Sequence, residues 1–168
     1  MNMDNRTPII QLQGIRFGYP GRDPILGGLD FKLYSGDRIG MVAPNGSGKT
    51  TFFHIIMGLL RPDAGRIEIF GNPVAKESDF LEVRRRIGLL FQDADDQLFS
   101  PTVLEDVAFG PLNQGKSRAQ AVEISRSVLS FLGLADFEHR VTFQLSGGEK
   151  RLVALAAVLA MQPEVLLL

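Results

Sequence analysis

From Arg38 to Leu60 the chain reads R-I-G-M-V-A-P-N-G-S-G-K-T-T-F-F-H-I-I-M-G-L-L, and no other stretch restricts the fold as tightly. Ile39, Met41 and Val42 form a short apolar run of the kind that makes a buried strand. Asn45-Gly46-Ser47-Gly48 then turns the chain, and Lys49 to Leu60 predicts a helix. A strand, a glycine-rich turn and a helix opening on Lys49-Thr50 is the arrangement needed to hold a polyphosphate. Glycines let backbone N–H groups face the phosphates, and the helix start adds unpaired N–H groups and the positive end of its dipole. Lys49 is placed to reach the β- and γ-phosphates, and the Thr50 hydroxyl to take a position on Mg²⁺. The motif is a P-loop with one departure: its strict form begins with glycine, and this chain has Ala43. The alternative is a glycine-rich turn with no ligand. Both inner glycines, the lysine and the hydroxyl stand in register, which favours phosphate binding.

At 168 residues, 45% of them hydrophobic, the chain suits one domain with enough apolar content to bury a core. A formal net charge of −1 shows no sign of a nucleic-acid surface or a basic membrane anchor. The absence of cysteine removes disulfides and thiolate metal sites, and agrees with a reducing, cytoplasmic setting. Met1 to Pro8 is polar and reads as no secretory signal, and no apolar run approaches the roughly 18 residues of a membrane span.

In chain order, Ile9 to Tyr19 alternates as a strand with Gly14 a candidate bulge, residues 20–24 turn, and Leu29 to Leu33 alternates again. The two strands predict a small antiparallel sheet ahead of the phosphate-binding core. Tyr19 closes the first strand; on pattern alone it is a sheet-edge aromatic rather than a base-stacking platform. After the helix, residues 61–65 break the chain and Arg66 to Phe70 predicts a further strand. Lys76 to Arg86 is charged and surface-facing, and Ile87 to Phe91 reads as a buried strand. Gln92 stands at its end, where α/β proteins place ligand-facing groups.

Beyond Gln92 the composition becomes acidic and then helical. Thr102 with Glu105 forms a capping box for a helix that Phe109-Gly110-Pro111 stops, and Ser117 with Gln120 caps a longer one. That helix carries Ala121, Ile124, Val128, Leu129 and Leu132 on one face, with Gly133 as C-cap. Asp93 to Arg140 thus predicts a helical lobe without strands. Leu145-Ser146-Gly147-Gly148-Glu149 precedes another amphipathic helix. Taken alone it is a loop with an N-cap, or a lysine-free anion site. Val165 to Leu168 begins a buried strand. His54 and His139 have no companion at metal-ligand spacing and read as structural or solvated.

In this order the pieces resemble an ATP-binding-cassette (ABC) ATPase, over essentially the whole chain. Tyr19 is similar to the adenine-stacking aromatic of the family's A-loop, which replaces the reading from pattern alone. Ala43 to Thr50 resembles Walker A, Gln92 the Q-loop glutamine that touches Mg²⁺ and the membrane partner, and L-S-G-G-E the signature motif. In such proteins two cassettes pair head to tail, each signature capping the ATP held in the other's Walker A. The resemblance implies cofactors ATP and Mg²⁺. The nucleotide-binding residues it implies are Tyr19, Ala43, Pro44, Asn45, Gly46, Ser47, Gly48, Lys49, Thr50, Thr51, Gln92, Ser146, Gly147 and Gly148. Thr50 and Gln92 are the candidate metal contacts. Phe91 to Asn113 is similar to ATPases of the energy-coupling-factor and cobalt/nickel uptake group. Such a cassette is expected at the cytoplasmic face of the membrane, docked on an integral membrane subunit through the Q-loop and helical lobe.

The expected fold class is α/β: a P-loop NTPase core with an N-terminal antiparallel β-subdomain and an inserted helical lobe, C-terminally incomplete. Residues 1–92 form the core with its antiparallel sheet, 93–148 the Q-loop and helical lobe, and 149–168 the signature helix and the next strand. In the family, residues like Val165 to Leu168 lead into a metal-supporting aspartate and a general-base glutamate, with a switch histidine later. None stands in this sequence, so the parent is expected to hydrolyse ATP and this chain little or none. The competing expectations are a soluble cassette protein that does not transport and a non-hydrolytic nucleotide-binding fragment. No nucleic-acid partner is expected.

Overall fold

The computed structural model describes residues 6–168. Contacts divide the chain between Val83 and Arg84 into two compact units. The first is built on a four-stranded antiparallel sheet, β2-β1-β3-β4, from β1 (Ile10–Phe17), β2 (Leu26–Leu33), β3 (Ala64–Ile69) and β4 (Asn72–Pro73). The buried residues of β1 are Ile10, Leu12, Ile15 and Phe17, a pattern that changes phase between Leu12 and Ile15. The expected bulge does this. The register with β2 slips there, Gly14 takes φ +59°, and its N–H donates to Asp30 Oδ1 at 2.7 Å. One extra residue returns four apolar side chains to one face. Across the bulge Gly65, at φ +110°, lies so close that a Cβ would sit 2.7 Å from the Gln13 carbonyl oxygen.

Helix α1 (Lys49–Ile56) buries Thr51, Phe52, Ile55 and Ile56, and Phe52 meets Phe31 of β2 edge-on at 4.9 Å. It stops short of the expected Leu60: Gly58 takes φ +66°, a left-handed stop, and the Phe80 ring fills the space a side chain there would need. That ring comes from α2 (Glu77–Arg86), which also buries Val83, so the charged 76–86 stretch is a helix with one anchored face.

One expected strand is absent. Residues 39–42 form no strand, and Ile39, Met41 and Val42 are 50%, 40% and 101% exposed. A strand exists only through hydrogen bonds to a neighbour, and among the described residues nothing pairs with this run. Apolar composition supplies the wish to be buried, not the partner.

The second unit carries a parallel pair, β5 (Ile87–Leu89) with β6 (Val165–Leu167), in register Ile87 to Val165 and Leu89 to Leu167. Val165 and Leu167 are buried as expected, whereas Leu168 is exposed. Three helices follow one core: α3 (Val103–Asn113), α4 (Arg118–Phe131) and α5 (Gly147–Ala160) bury Val103, Val107, Leu129, Val153, Ala156 and Ala160 together, with Leu134 and Leu145 from the loops. Both expected capping boxes, Thr102/Glu105 and Ser117/Gln120, are formed, and Gly133 takes φ +74°. Phe109-Gly110-Pro111 does not stop α3, which runs through Pro111 to Asn113. A proline forfeits its own N–H bond, but Pro111 is buried and the helix resumes with Gln114 N–H on the Gly110 carbonyl at 3.0 Å. Within the helical stretch the described residues pair only at an isolated bridge, Thr102 with Val141.

Candidate functional site

In the first unit, the phosphate loop has the backbone that its glycines predict. Gly46 and Gly48 take φ +80° and +92°, with Ser47 between them outside the left-handed region. Such alternation turns successive N–H groups toward one concave side, the geometry that cradles an anion. Gly48 is the N-cap of α1, and no side chain caps that helix. The first intrahelical bond is Phe52 N–H to the Gly48 carbonyl at 2.8 Å, so the N–H groups of Lys49, Thr50 and Thr51 precede the ladder.

The Lys49 ammonium donates to the carbonyl oxygens of Ala43 at 2.6 Å and Pro44 at 2.8 Å, which ties the loop's first residues to the helix start. Ser47 N–H closes on the Pro44 carbonyl at 3.3 Å. Ala43 contributes a carbonyl and has no positive φ, so alanine there carries no backbone strain. Asn45 and Thr50 are exposed, while the Thr51 side chain is buried and leaves its backbone N–H as the group that can face a ligand. Gly48 is fixed twice: a Cβ would meet Ile25 Cγ2 at 2.5 Å, at a φ that L-residues avoid.

Among the described residues no group of three or more His, Asp or Glu side chains could hold a metal ion. The Thr50 hydroxyl is a single neutral oxygen. That donor set fits Mg²⁺ only as an ion that keeps several waters and takes its other ligands from a nucleotide's phosphates. Bound in that way, the ion would neutralise phosphate charge.

Tyr19 lies two residues past the end of β1, is 37% exposed, and stands edge-on to Phe17 with ring centroids 5.0 Å apart. Phe17 is buried and fixes one side of the tyrosine ring, while the exposed part can take a planar group.

Gln92 and the L-S-G-G-E stretch belong to the second unit. Gln92 is exposed just after β5. Ser146 is the N-cap of α5: its hydroxyl accepts from Glu149 N–H at 3.4 Å, and Glu149 Oε2 accepts from Ser146 N–H at 2.8 Å. The Ser146 backbone and hydroxyl bonds, with Arg140 beside them, hold the Glu149 carboxyl below its ordinary range. Gly147 and Gly148 are exposed, neither has positive φ, and a Cβ on either would meet nothing within 4 Å. Glycine at helix positions costs roughly 1 kcal/mol against alanine. Among the described residues no contact or dihedral requires it here.

Sequence reasoning missed the side chains that fasten this region. Gln97 accepts from Phe91 N–H at 3.1 Å and donates to the Ala154 carbonyl at 3.1 Å, and Lys150 pairs with Asp95, so the segment after Gln92 is tied to α5. Asp106, 4% exposed, accepts from the N–H groups of Phe99 at 3.1 Å and Ser100 at 2.9 Å. Gln97 and Ala154 are 57 residues apart, so no local pattern could announce that bond. Of the histidines, His54 lies in α1 and His139 is exposed against Glu138 at 2.9 Å. No helix of the described residues is long and apolar enough to cross a membrane.

A family profile described as ABC transporter matches residues 26–168. The chain is 55% identical over 163 residues to a putative ABC transporter ATP-binding protein of Nitratidesulfovibrio vulgaris, covering 96% of this chain and 60% of that protein. It is 43% identical to the energy-coupling factor transporter ATP-binding protein EcfA of Methanocaldococcus jannaschii, over 95% of this chain and 58% of that protein. It is 44% identical to the cobalt import ATP-binding protein CbiO of Rhodobacter capsulatus, over 96% of this chain and 58% of that protein. Among solved structures, a CbiO subunit from Clostridium perfringens, described as part of the ABC transporter complex CbiONQ, superposes with TM-score 0.82 at 32% identity. That match covers 95% of this chain and 64% of the solved one. The chain thus spans about three-fifths of the length of the curated relatives it matches. The expected α/β P-loop NTPase fold is borne out by that neighbour, and the chain belongs to the ABC transporter family.

Proposed function

We propose that this protein is the ATP-binding subunit of an ABC-type membrane importer of the energy-coupling-factor or cobalt-uptake kind, with ATP hydrolysis performed by the protein as a whole. The observation that carries the reading is the cradle at Gly46 to Thr50: alternating backbone signs, an uncapped helix start and an ammonium at its mouth. Tyr19 stacks the base, the 46–51 backbone and Lys49 take the phosphates, and Thr50 and Gln92 are the contacts to Mg²⁺. Ser146, Gly147 and Gly148 face the nucleotide held by a second cassette, a role that accounts for two glycines no internal contact explains. The relatives named for energy-coupling factor and cobalt import support the transport setting, with an integral membrane subunit docked on the Q-loop and helical lobe. Attachment through that subunit places the protein peripherally at the cytoplasmic face. Residues 1–92, 93–148 and 149–168 then divide as nucleotide core, Q-loop with helical lobe, and signature helix with the strand after it.

The test is uptake by cells that depend on the full-length protein for cobalt, nickel or vitamin import. Lys49→Ala is expected to abolish uptake and Ser146→Arg to do the same without loss of nucleotide binding by the separate subunit. Uptake at the wild-type rate in Lys49→Ala cells would overturn the reading.

A further inference from the structure

Gln92 stands on a length of chain that other residues hold on both sides. Before it, Leu90 N–H continues the β5–β6 ladder and donates to the Leu167 carbonyl at 2.9 Å. Successive N–H groups of an extended chain point to opposite sides, so the next one, on Phe91, faces away from β6. A side chain meets it there: Gln97 Oε1 accepts from Phe91 N–H at 3.1 Å. The same carboxamide donates through Nε2 to the carbonyl of Ala154, in the middle of α5, at 3.1 Å. Past Gln92, Asp93 Oδ1 accepts from Asp95 N–H at 3.0 Å, and the Asp95 carboxylate pairs with Lys150, also of α5, whose side chain is only 17% exposed. Gln97 N–H closes the turn on the Ala94 carbonyl at 3.1 Å. Gln92 is thus an exposed residue between two anchored neighbours, and both anchors end on one helix.

The residue type at position 97 follows from this task. A carboxamide carries an acceptor and a donor on one rigid plane. A carboxylate lacks the donor, a cation lacks the acceptor, and turning the amide over sets like against like at both ends. The side chain is half-buried, where a bond left unmade is costly. We infer that Gln97 is a positioning residue for Gln92: by clamping the Phe91 backbone to α5 it sets where the Gln92 side chain is presented for its contact to Mg²⁺. The inference rests on the proposed role of Gln92 and goes beyond it by assigning a residue that acts only through its neighbour.

The test is a double-mutant cycle on ATP turnover by the full-length protein. Gln97→Met keeps the length of the side chain and removes both bonds. It should lower kcat and raise the Mg²⁺ concentration for half-maximal turnover, each by about tenfold, because a small displacement of a ligating group is costly. Binding of a non-hydrolysable ATP analogue without Mg²⁺ should stay at the wild-type level, which shows that the variant is folded. In a Gln92→Ala background the same substitution should change turnover by less than about twofold, since residues that act through one another are not additive. Gln97→Glu keeps the bond to Phe91 and loses the donor to Ala154. It repeats the cycle with the fold less disturbed, and should show the same non-additivity with a smaller loss. A side chain that only holds the region together would cut turnover by the same factor in both backgrounds. That additivity would overturn the inference, as would wild-type turnover and Mg²⁺ dependence in Gln97→Met. Wild-type turnover in Gln92→Ala would instead sink the proposed role of Gln92, and the inference with it.

Discussion

Two glycines, each at the start of a helix, make the clearest residue-scale contrast. Gly48 is required by the fold: φ +92° and Ile25 at 2.5 Å from a prospective Cβ. Gly48→Ala should destabilise the chain by about 1–3 kcal/mol, visible as a lowered urea midpoint. Gly148 has ordinary φ and open space, so Gly148→Ala should stabilise by about 0.5–1 kcal/mol. The same substitution should cost the full-length protein its nucleotide-driven pairing. A Gly148→Ala protein that is both more stable and fully able to pair would show that the bare helix start has no external purpose. The sequence distinguishes neither glycine from the other; only dihedral and space do. What it does carry is the spacing behind the proposed chemistry, with Lys49, Thr50 and the inner glycines at fixed offsets from a helix start.

At the scale of elements, the capping boxes were legible because their partners lie three residues apart, and Thr102/Glu105 and Ser117/Gln120 form as spaced. Ser146 with Glu149 forms a third. These acids give the chain a pH dependence with a defined sign. Ser146 bonds lower the Glu149 carboxyl, the Arg126 side chain lowers Glu138, and the Arg86 side chain lowers Glu164. A carboxyl whose folded value lies below its unfolded one stabilises above the ordinary carboxylate range and loses that contribution as pH falls through the folded value. The melting temperature should therefore drop below about pH 4.3, and Glu149→Gln should flatten the decline. All three acids are at least partly open to solvent, so the effect should shrink in high salt. A slope unchanged in Glu149→Gln would remove this acid from the account. Where the sequence misled, the missing information was tertiary. Pro111 continues α3 because its ring is buried, and α1 ends early because Phe80 occupies the space over Gly58.

For the whole molecule, the antiparallel sheet and the three-helix core follow from alternation and helical periodicity that each element carries in itself. The 39–42 run fails that test, since its strand character depends on a neighbour and not on its own residues. Its Ile39, Met41 and Val42, exposed at 50%, 40% and 101%, give the first unit an apolar stretch prone to association. Light scattering should show mass rising with concentration, and Val42→Lys should lower it; a monodisperse wild-type monomer at every concentration would contradict this. The most direct test of the central claim is titration of this chain with a non-hydrolysable ATP analogue and Mg²⁺, beside Lys49→Ala. The account predicts saturable binding weakened by about tenfold to a hundredfold in the mutant, the loss of one charge-assisted contact to phosphate. Binding of equal strength in both would contradict it, because the nucleotide would then be held without the one cation that the loop places at its mouth.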